Sequence, residues 1–151
     1  MSIIDLYDLF IHNPQITTDS RNCPKGSIFF ALKGDKFDGN QYAGKALASG
    51  CVYAVIDNPD YYIGERTILV DNVLKTLQQL AHHHRKVLGL PIIGITGTNG
   101  KTTTKELVGR VLSRKFRTAV TQGNLNNHIG VPLTLLAMTR EVQFGVVETG
   151  A

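Results

Sequence analysis

The stretch GITGTNGKTTTKEL, residues 94–107, decides how the rest of the chain is read. An apolar segment, PIIGIT (residues 91–96), runs into it, and a helical pattern, TTTKELVGRVLSRKF, leaves it. Strand, glycine loop and helix in that order make a phosphate cradle. Glycines let successive N–H groups turn into one hollow, and the helix start adds the positive end of its dipole. Gly97, Thr98, Asn99, Gly100, Lys101 and Thr102 keep the G-x-x-G-K-[ST] half of the phosphate-loop pattern; Ile95 stands where the longer pattern has its first glycine. Lys101 is suited to the β- and γ-phosphates of ATP, and the Thr102 hydroxyl to Mg2+.

Downstream, RTAVTQ reads as a second strand, VPLTLLAM as a short helix with Pro132 in its first turn, and QFGVVE as a third strand. Strands alternating with helices argue for a parallel, doubly wound sheet. PIIGIT is expected to be a buried strand, and the helix after the loop to turn Leu107, Val108, Val111 and Leu112 inward. Ligands of such sheets bind at the carboxyl ends of the strands. The glycine loop, QGNLNNHIG (residues 122–130) and Glu148 all fall there. Glu148 is placed to hold Mg2+ directly or through water, although acids also end strands for solvation. Asn124, Asn126, Asn127 and His128 suit a ligand rich in hydroxyls and carbonyls, or serve only as turn chemistry.

Upstream, IIDLYDLFIH has Ile4, Leu6, Leu9 and Phe10 near one side of a short helix. SIFFAL, CVYAVID and TILV read as strands, and residues 42–49 as a helix ended by Gly50. A long helix starts at Asp71 or Asn72 and carries Val73, Leu77, Leu80, Ala81, His84 and Leu88 on one face. Consecutive helical residues point ~100° apart, so His82, His83 and His84 cannot converge on one metal ion. Gly89 and Pro91 then punctuate the chain. This divides it into residues 1–87 and residues 88–151.

Composition narrows the class. Of 151 residues, 42% are hydrophobic and 19% charged, a balance that folds. No apolar run approaches the ~20 residues of a membrane span. The acidic start, MSIIDLYDLF, does not read as a signal peptide. Two cysteines give no disulfide framework, which points to a reducing compartment, the cytoplasm. The net charge of +4 comes from scattered basic residues, densest at Arg110, Arg114, Lys115 and Arg117, and there is no tryptophan. That favours anionic small ligands over nucleic acid.

Taken together, GITGTNGKTTTKEL, TQGNLNNHIGVPLTLL and VVETGA resemble the ATP-dependent Mur ligases of peptidoglycan synthesis, and TTDSRNCPKGSIFFALKGDKFDGNQYAGKALASGCVYAVID resembles that family's N-terminal domain. The resemblance implies a small α/β domain holding the uridine nucleotide of the substrate, followed by the first part of a parallel-sheet phosphate-loop ATPase domain. GNLNNHIG points within the family to the branch that adds D-Ala-D-Ala to UDP-MurNAc-tripeptide. ATP would phosphorylate a carboxylate, and an amine would attack the acyl phosphate. On this reading Lys101 and Glu148 are catalytic, Thr102 and Glu148 belong to Mg2+, and Gly97, Thr98, Asn99, Gly100 and Thr103 join the ATP loop. Ser20 and Arg21 contact the uridine nucleotide, while Asn124, Asn126, Asn127 and His128 serve the substrate or acyl phosphate. The full-length enzyme is expected to be a monomer.

Three departures qualify the resemblance. DGN (residues 38–40) replaces the usual DGH, and ETG (residues 148–150) the usual EMG. The family's central domain also continues past residue 151, with a modified lysine and a histidine at its magnesium sites, and a third domain follows. The 151 residues alone are therefore expected to be inactive and to leave apolar surface uncovered. Two other readings stay open: a non-enzymatic UDP-sugar-binding or interaction module, and a ligase like folylpolyglutamate synthase. The latter would share the glycine loop without GNLNNHIG or TDSR.

Overall fold

The computed structural model describes residues 1–150; Ala151, the last residue of VVETGA, lies outside them. Contacts divide the chain into two units, residues 1–80 and residues 81 onward. The division falls inside helix α3 (Val73–Leu88), as does the 87/88 boundary read from sequence. Both units are α/β with parallel sheets, as expected.

In the first unit, strands β1 (Ile16–Thr17), β2 (Ile28–Phe30), β5 (Tyr53–Ile56) and β6 (Thr67–Leu69) form one all-parallel sheet in the order β1-β2-β5-β6. A short antiparallel pair, β3 (Lys33–Gly34) and β4 (Phe37–Asp38), leaves its carboxyl edge. Both faces of a parallel sheet need cover, so its strands are apolar throughout. Phe29, Ala54 and Ile56 pack with Ala43 and Ala46 of helix α2 (Ala43–Ser49). Alternation sends Ile28, Phe30 and Val55, all buried, to the opposite face. Gly50 ends α2 at φ +131°, a conformation that L side chains rarely adopt.

Helix α1 (Ile3–His12) opens on a capping box: Ser2 accepts from the Asp5 N–H, and the Asp5 side chain from Ser2 N–H. Its buried residues are Leu6 and Phe10, whereas Ile4 is exposed. The inward stripe runs through residues 3, 6, 7 and 10, so Ile4 falls off the expected face. Helix α3 is capped by Asn72, whose Oδ1 accepts from Lys75 N–H at 2.8 Å. Val73, Leu77, Leu80, Ala81 and His84 are buried, as the heptad-like spacing predicts. His82 is exposed, and His84 Nε2 donates to the Met138 carbonyl at 2.8 Å. Among the described residues no helix is long and apolar enough to cross a membrane.

In the second unit, β7 (Ile92–Ile95), β8 (Thr118–Val120) and β9 (Phe144–Glu148) form a parallel sheet in the order β7-β9-β8. Helices α4 (Lys101–Leu112) and α5 (Gly130–Leu136) complete it. Central β9 is the buried strand. PIIGIT is not: β7 lies at an edge, and Ile93 is exposed. Helix α4 is also rotated from the expected face. Leu107 and Val111 are 58% and 71% exposed, Val108 and Leu112 are half-buried, and the buried positions are Lys105 and Gly109. Gly109 is the point of closest approach, because a Cβ there would meet Val120 Cγ2 at 2.7 Å. A helix pressed this close must turn its smallest residue to the sheet.

Candidate phosphate site

Because all three strands of the second sheet are parallel, their carboxyl ends share one edge, and three loops open there. The first connects β7 to α4. Gly97 at φ +145° and Gly100 at φ +74° supply the two turns, and Gly100 ends the loop as the N-cap of α4. A non-glycine residue would be strained at either position. Thr98, Asn99, Thr102 and Thr103 are exposed, so the hollow is open to a ligand. The first turn of α4 leaves N–H groups without intrahelical partners, and its dipole favours an anion. Lys101 Nζ folds back over this loop and donates to the Gly97 carbonyl.

The second loop ends β9. Glu148 pairs in register with Ile95, the last residue of β7, which brings its carboxylate beside the glycine loop. It is buried, 2% exposed, and richly partnered. Asn126 Nδ2 donates to Oε1 at 2.9 Å, and Thr102 Oγ1 to Oε2 at 3.4 Å. Lys105 Nζ lies 3.5 Å from Oε2. The Asn126 amide, helped by the Lys105 and Lys101 charges, holds this carboxyl below the usual glutamate range against the opposing effect of burial. Glu148 N–H donates to the buried Thr121 hydroxyl at 2.9 Å, which locks the strand end.

The third loop follows β8. Asn126 faces Glu148, and its carbonyl accepts from Gly150 N–H at 2.6 Å. Asn127 is committed to structure: its Oδ1 accepts from the N–H groups of Ile129 and Gly130 at 3.1 and 2.7 Å, at the start of α5. Asn124 and His128 are exposed. Lys101, Thr102, Asn126 and Glu148 therefore converge, while Asn127 Oδ1 braces the turn that leads into α5.

Ser20 and Arg21 belong to the first unit, in the loop after β1. Ser20 is buried. Arg21 is exposed and lies along Asp19, with Nε to Oδ1 at 2.9 Å and a terminal nitrogen to Oδ2 at 2.8 Å. Its guanidinium pulls the Asp19 carboxyl down to about 2. Asn40, of the departing DGN, is fully buried: its amide donates to Asp38 and Asp57, and its oxygen accepts from the N–H groups of Asp57 and Asn58.

Sequence reasoning missed Lys105 and Thr121. Lys105 lies one helical turn beyond Lys101, on the same face, and that periodicity was the available signal. Thr121 offered none. Thr102 Oγ1, in the first turn of α4, and Glu148 Oε2, at the end of β9, are hard oxygen donors 3.4 Å apart, a donor type that fits Mg2+.

Known proteins resemble the chain along most of its length. Residues 95–151 match the Mur ligase middle domain, and residues 12–85 the domain described as Mur ligase family, catalytic domain. The UDP-N-acetylmuramoyl-tripeptide–D-alanyl-D-alanine ligase of Bacillus subtilis is 42% identical over 89% of this chain and 30% of its own. Among solved structures, the D-alanyl-D-alanyl ligase of Acinetobacter baumannii superposes with TM-score 0.83 at 41% identity, covering 91% of this chain and 31% of its own. The MurF ligase of Thermotoga maritima in complex with ADP gives TM-score 0.84 at 30% identity, covering 95% of this chain and 33% of its own. The chain spans about 30% of the length of the curated relatives it matches.

Proposed function

The chain belongs to the Mur ligase family, and we propose that it is the N-terminal part of the ligase that joins D-Ala-D-Ala to UDP-MurNAc-tripeptide at the expense of ATP. The observation that carries this is the meeting of Lys101, Thr102, Asn126 and Glu148 at one sheet edge. A Thermotoga relative in complex with ADP supports nucleotide binding as such.

The work assigned to these residues is neutralising and aligning two anions, a triphosphate and a carboxylate. The N–H groups of Gly97, Thr98, Asn99 and Gly100, with those of the first helical turn, cradle the β- and γ-phosphates. Lys101 exchanges the Gly97 carbonyl for a phosphate oxygen and follows the transferring group. Thr102 and Glu148 are the residues that would hold Mg2+, which when bound neutralises charge on the phosphates. Asn126 keeps Glu148 aimed at Thr102, and Asn124 and His128 serve the substrate or acyl phosphate. Asn127 contributes by fixing the loop. Transfer of the γ-phosphoryl group yields an acyl phosphate, and attack by the dipeptide amine releases phosphate and forms the amide.

Ser20 and Arg21 take the uridine nucleotide. A nucleotide-linked substrate and free thiols at Cys23 and Cys51 suit the cytoplasm, with the full-length enzyme acting as a monomer. Phosphate release by the full-length protein, measured with ATP, UDP-MurNAc-tripeptide and D-Ala-D-Ala, tests the reading. Release that needs all three supports it. Release independent of the UDP-linked substrate contradicts it.

A further inference from the structure

Lys105 is a lysine where helix packing calls for an apolar residue. It is 1% exposed, and desolvating an ammonium costs several kcal/mol unless oxygens replace the water. Three oxygens surround its Nζ: the Gly123 carbonyl at 3.3 Å, Glu148 Oε2 at 3.5 Å and Glu106 Oε1 at 3.6 Å. They come from three segments, namely the loop after β8, the end of β9 and α4 itself. Each distance is longer than the 2.7–2.9 Å of a tight charge-assisted bond. One ammonium is thus shared among several oxygens.

That arrangement is more than ballast. Glu148 Oε1 is already turned by Asn126, and Oε2 is the oxygen beside Thr102. Lys105, itself buried, lies 3.5 Å from Oε2. It also holds Gly123, one residue before the asparagine loop begins. We propose that Lys105 is a positioning residue: its ammonium fixes the Glu148 carboxylate and the asparagine loop in the geometry that receives magnesium and the nucleotide phosphates. This rests on the metal role given to Glu148 above. Lys105 touches neither phosphate nor metal; it acts through its two neighbours. Groups that orient a metal-holding carboxylate typically contribute about 10–100-fold in metal affinity or activity.

Calorimetric titration of the full-length protein with ADP, once with Mg2+ and once with a chelator, tests the proposal. Lys105→Met is compared with wild type and Glu148→Gln. Lys105→Met should bind ADP without magnesium within about twofold of wild type, because the glycine loop and Lys101 are intact. The gain in affinity that magnesium confers should fall about tenfold. In turnover, kcat should drop about 100-fold while KM for the UDP-linked substrate stays unchanged. A purely structural lysine would lower thermal stability and leave the magnesium gain and kcat per folded site alone; that result overturns the proposal. If Lys105→Met yields too little folded protein, Lys105→Gln is measured in the same way, with the same outcomes decisive. Should Glu148→Gln lose the magnesium gain while Lys105→Met keeps it, only this inference fails. Should Glu148→Gln keep the gain, the metal role fails and this inference falls with it.

Discussion

Each unit of the molecule sets a carboxylate at the carboxyl edge of a parallel sheet, half-buried Asp57 in one and buried Glu148 in the other, and the two are treated in opposite ways. Asp57, just past β5, is tied off. Lys33 Nζ reaches it at 2.8 Å, Asn40 Nδ2 at 2.9 Å and Val73 N–H at 3.1 Å, and Asn40 turns its own oxygen back to Asp57 N–H at 2.9 Å. Burial alone would raise the Asp57 pKa; Lys33, Asn40 and the Val73 N–H outweigh it and hold it below the usual range. Glu148 shares Oε2 between Lys105 and Thr102 at 3.4–3.5 Å, beside an open loop. Closed hydrogen bonds make a joint, whereas long, shared ones leave lone pairs for a ligand. The Asp57 cluster thus ties β5 to the start of α3, and the Glu148 cluster is the site proposed for phosphate and metal.

The largest expected effect sits on the open cluster. Lys101→Ala should lower ATP-dependent phosphate release by about 1,000-fold, since the transferring phosphoryl group loses its only mobile cation on this loop. The melting temperature should barely move. Comparable loss of stability and of rate per folded molecule would erase the contrast. Next comes the closed cluster. Asn40→Ala removes four hydrogen bonds and strands Asp57 beside a cavity, so unfolding in urea should show a loss of about 3 kcal/mol. Activity per folded molecule should persist.

That contrast also separates what the sequence discloses from what it hides. The strand–loop–helix order, the parallel sheet and the convergence of Lys101, Thr102 and Glu148 follow from local signals, glycine spacing and apolar runs. The rotation of α4 does not. Hydrophobicity alone turns Leu107 and Val111 inward, yet close packing at Gly109 and the polar partners of Lys105 turn that face outward. The same limit applies to β7, whose apolar run reads as central although β9 holds that place. Among the asparagines, composition could not tell Asn126, which binds Glu148, from Asn127, which braces the turn before α5. Only the path of the chain distinguishes them.

Two smaller effects sharpen the picture. Arg21 is exposed and paired with Asp19, so Arg21→Ala should leave stability unchanged while weakening UDP binding about tenfold, as read by calorimetry. Unchanged affinity would remove Arg21 from the nucleotide site. His84 is smaller still. Burial, with the His83 charge, depresses its pKa below 6.5 despite the Met138 carbonyl. The unfolded chain therefore takes up the proton first: stability is full above 6.5 and declines as pH falls below it. Thermal melts on both sides of that value should show a decline in wild type that His84→Gln lacks.

The central claim is that the backbone from Gly97 to Thr102, with Lys101, is a cup for polyphosphate. A crystal structure of the full-length protein with magnesium and a non-hydrolysable ATP analogue tests it most directly. The account predicts β- and γ-phosphates on those N–H groups, with Lys101 Nζ moved from the Gly97 carbonyl to a phosphate oxygen. A nucleotide bound elsewhere, with Lys101 still on Gly97, would contradict it.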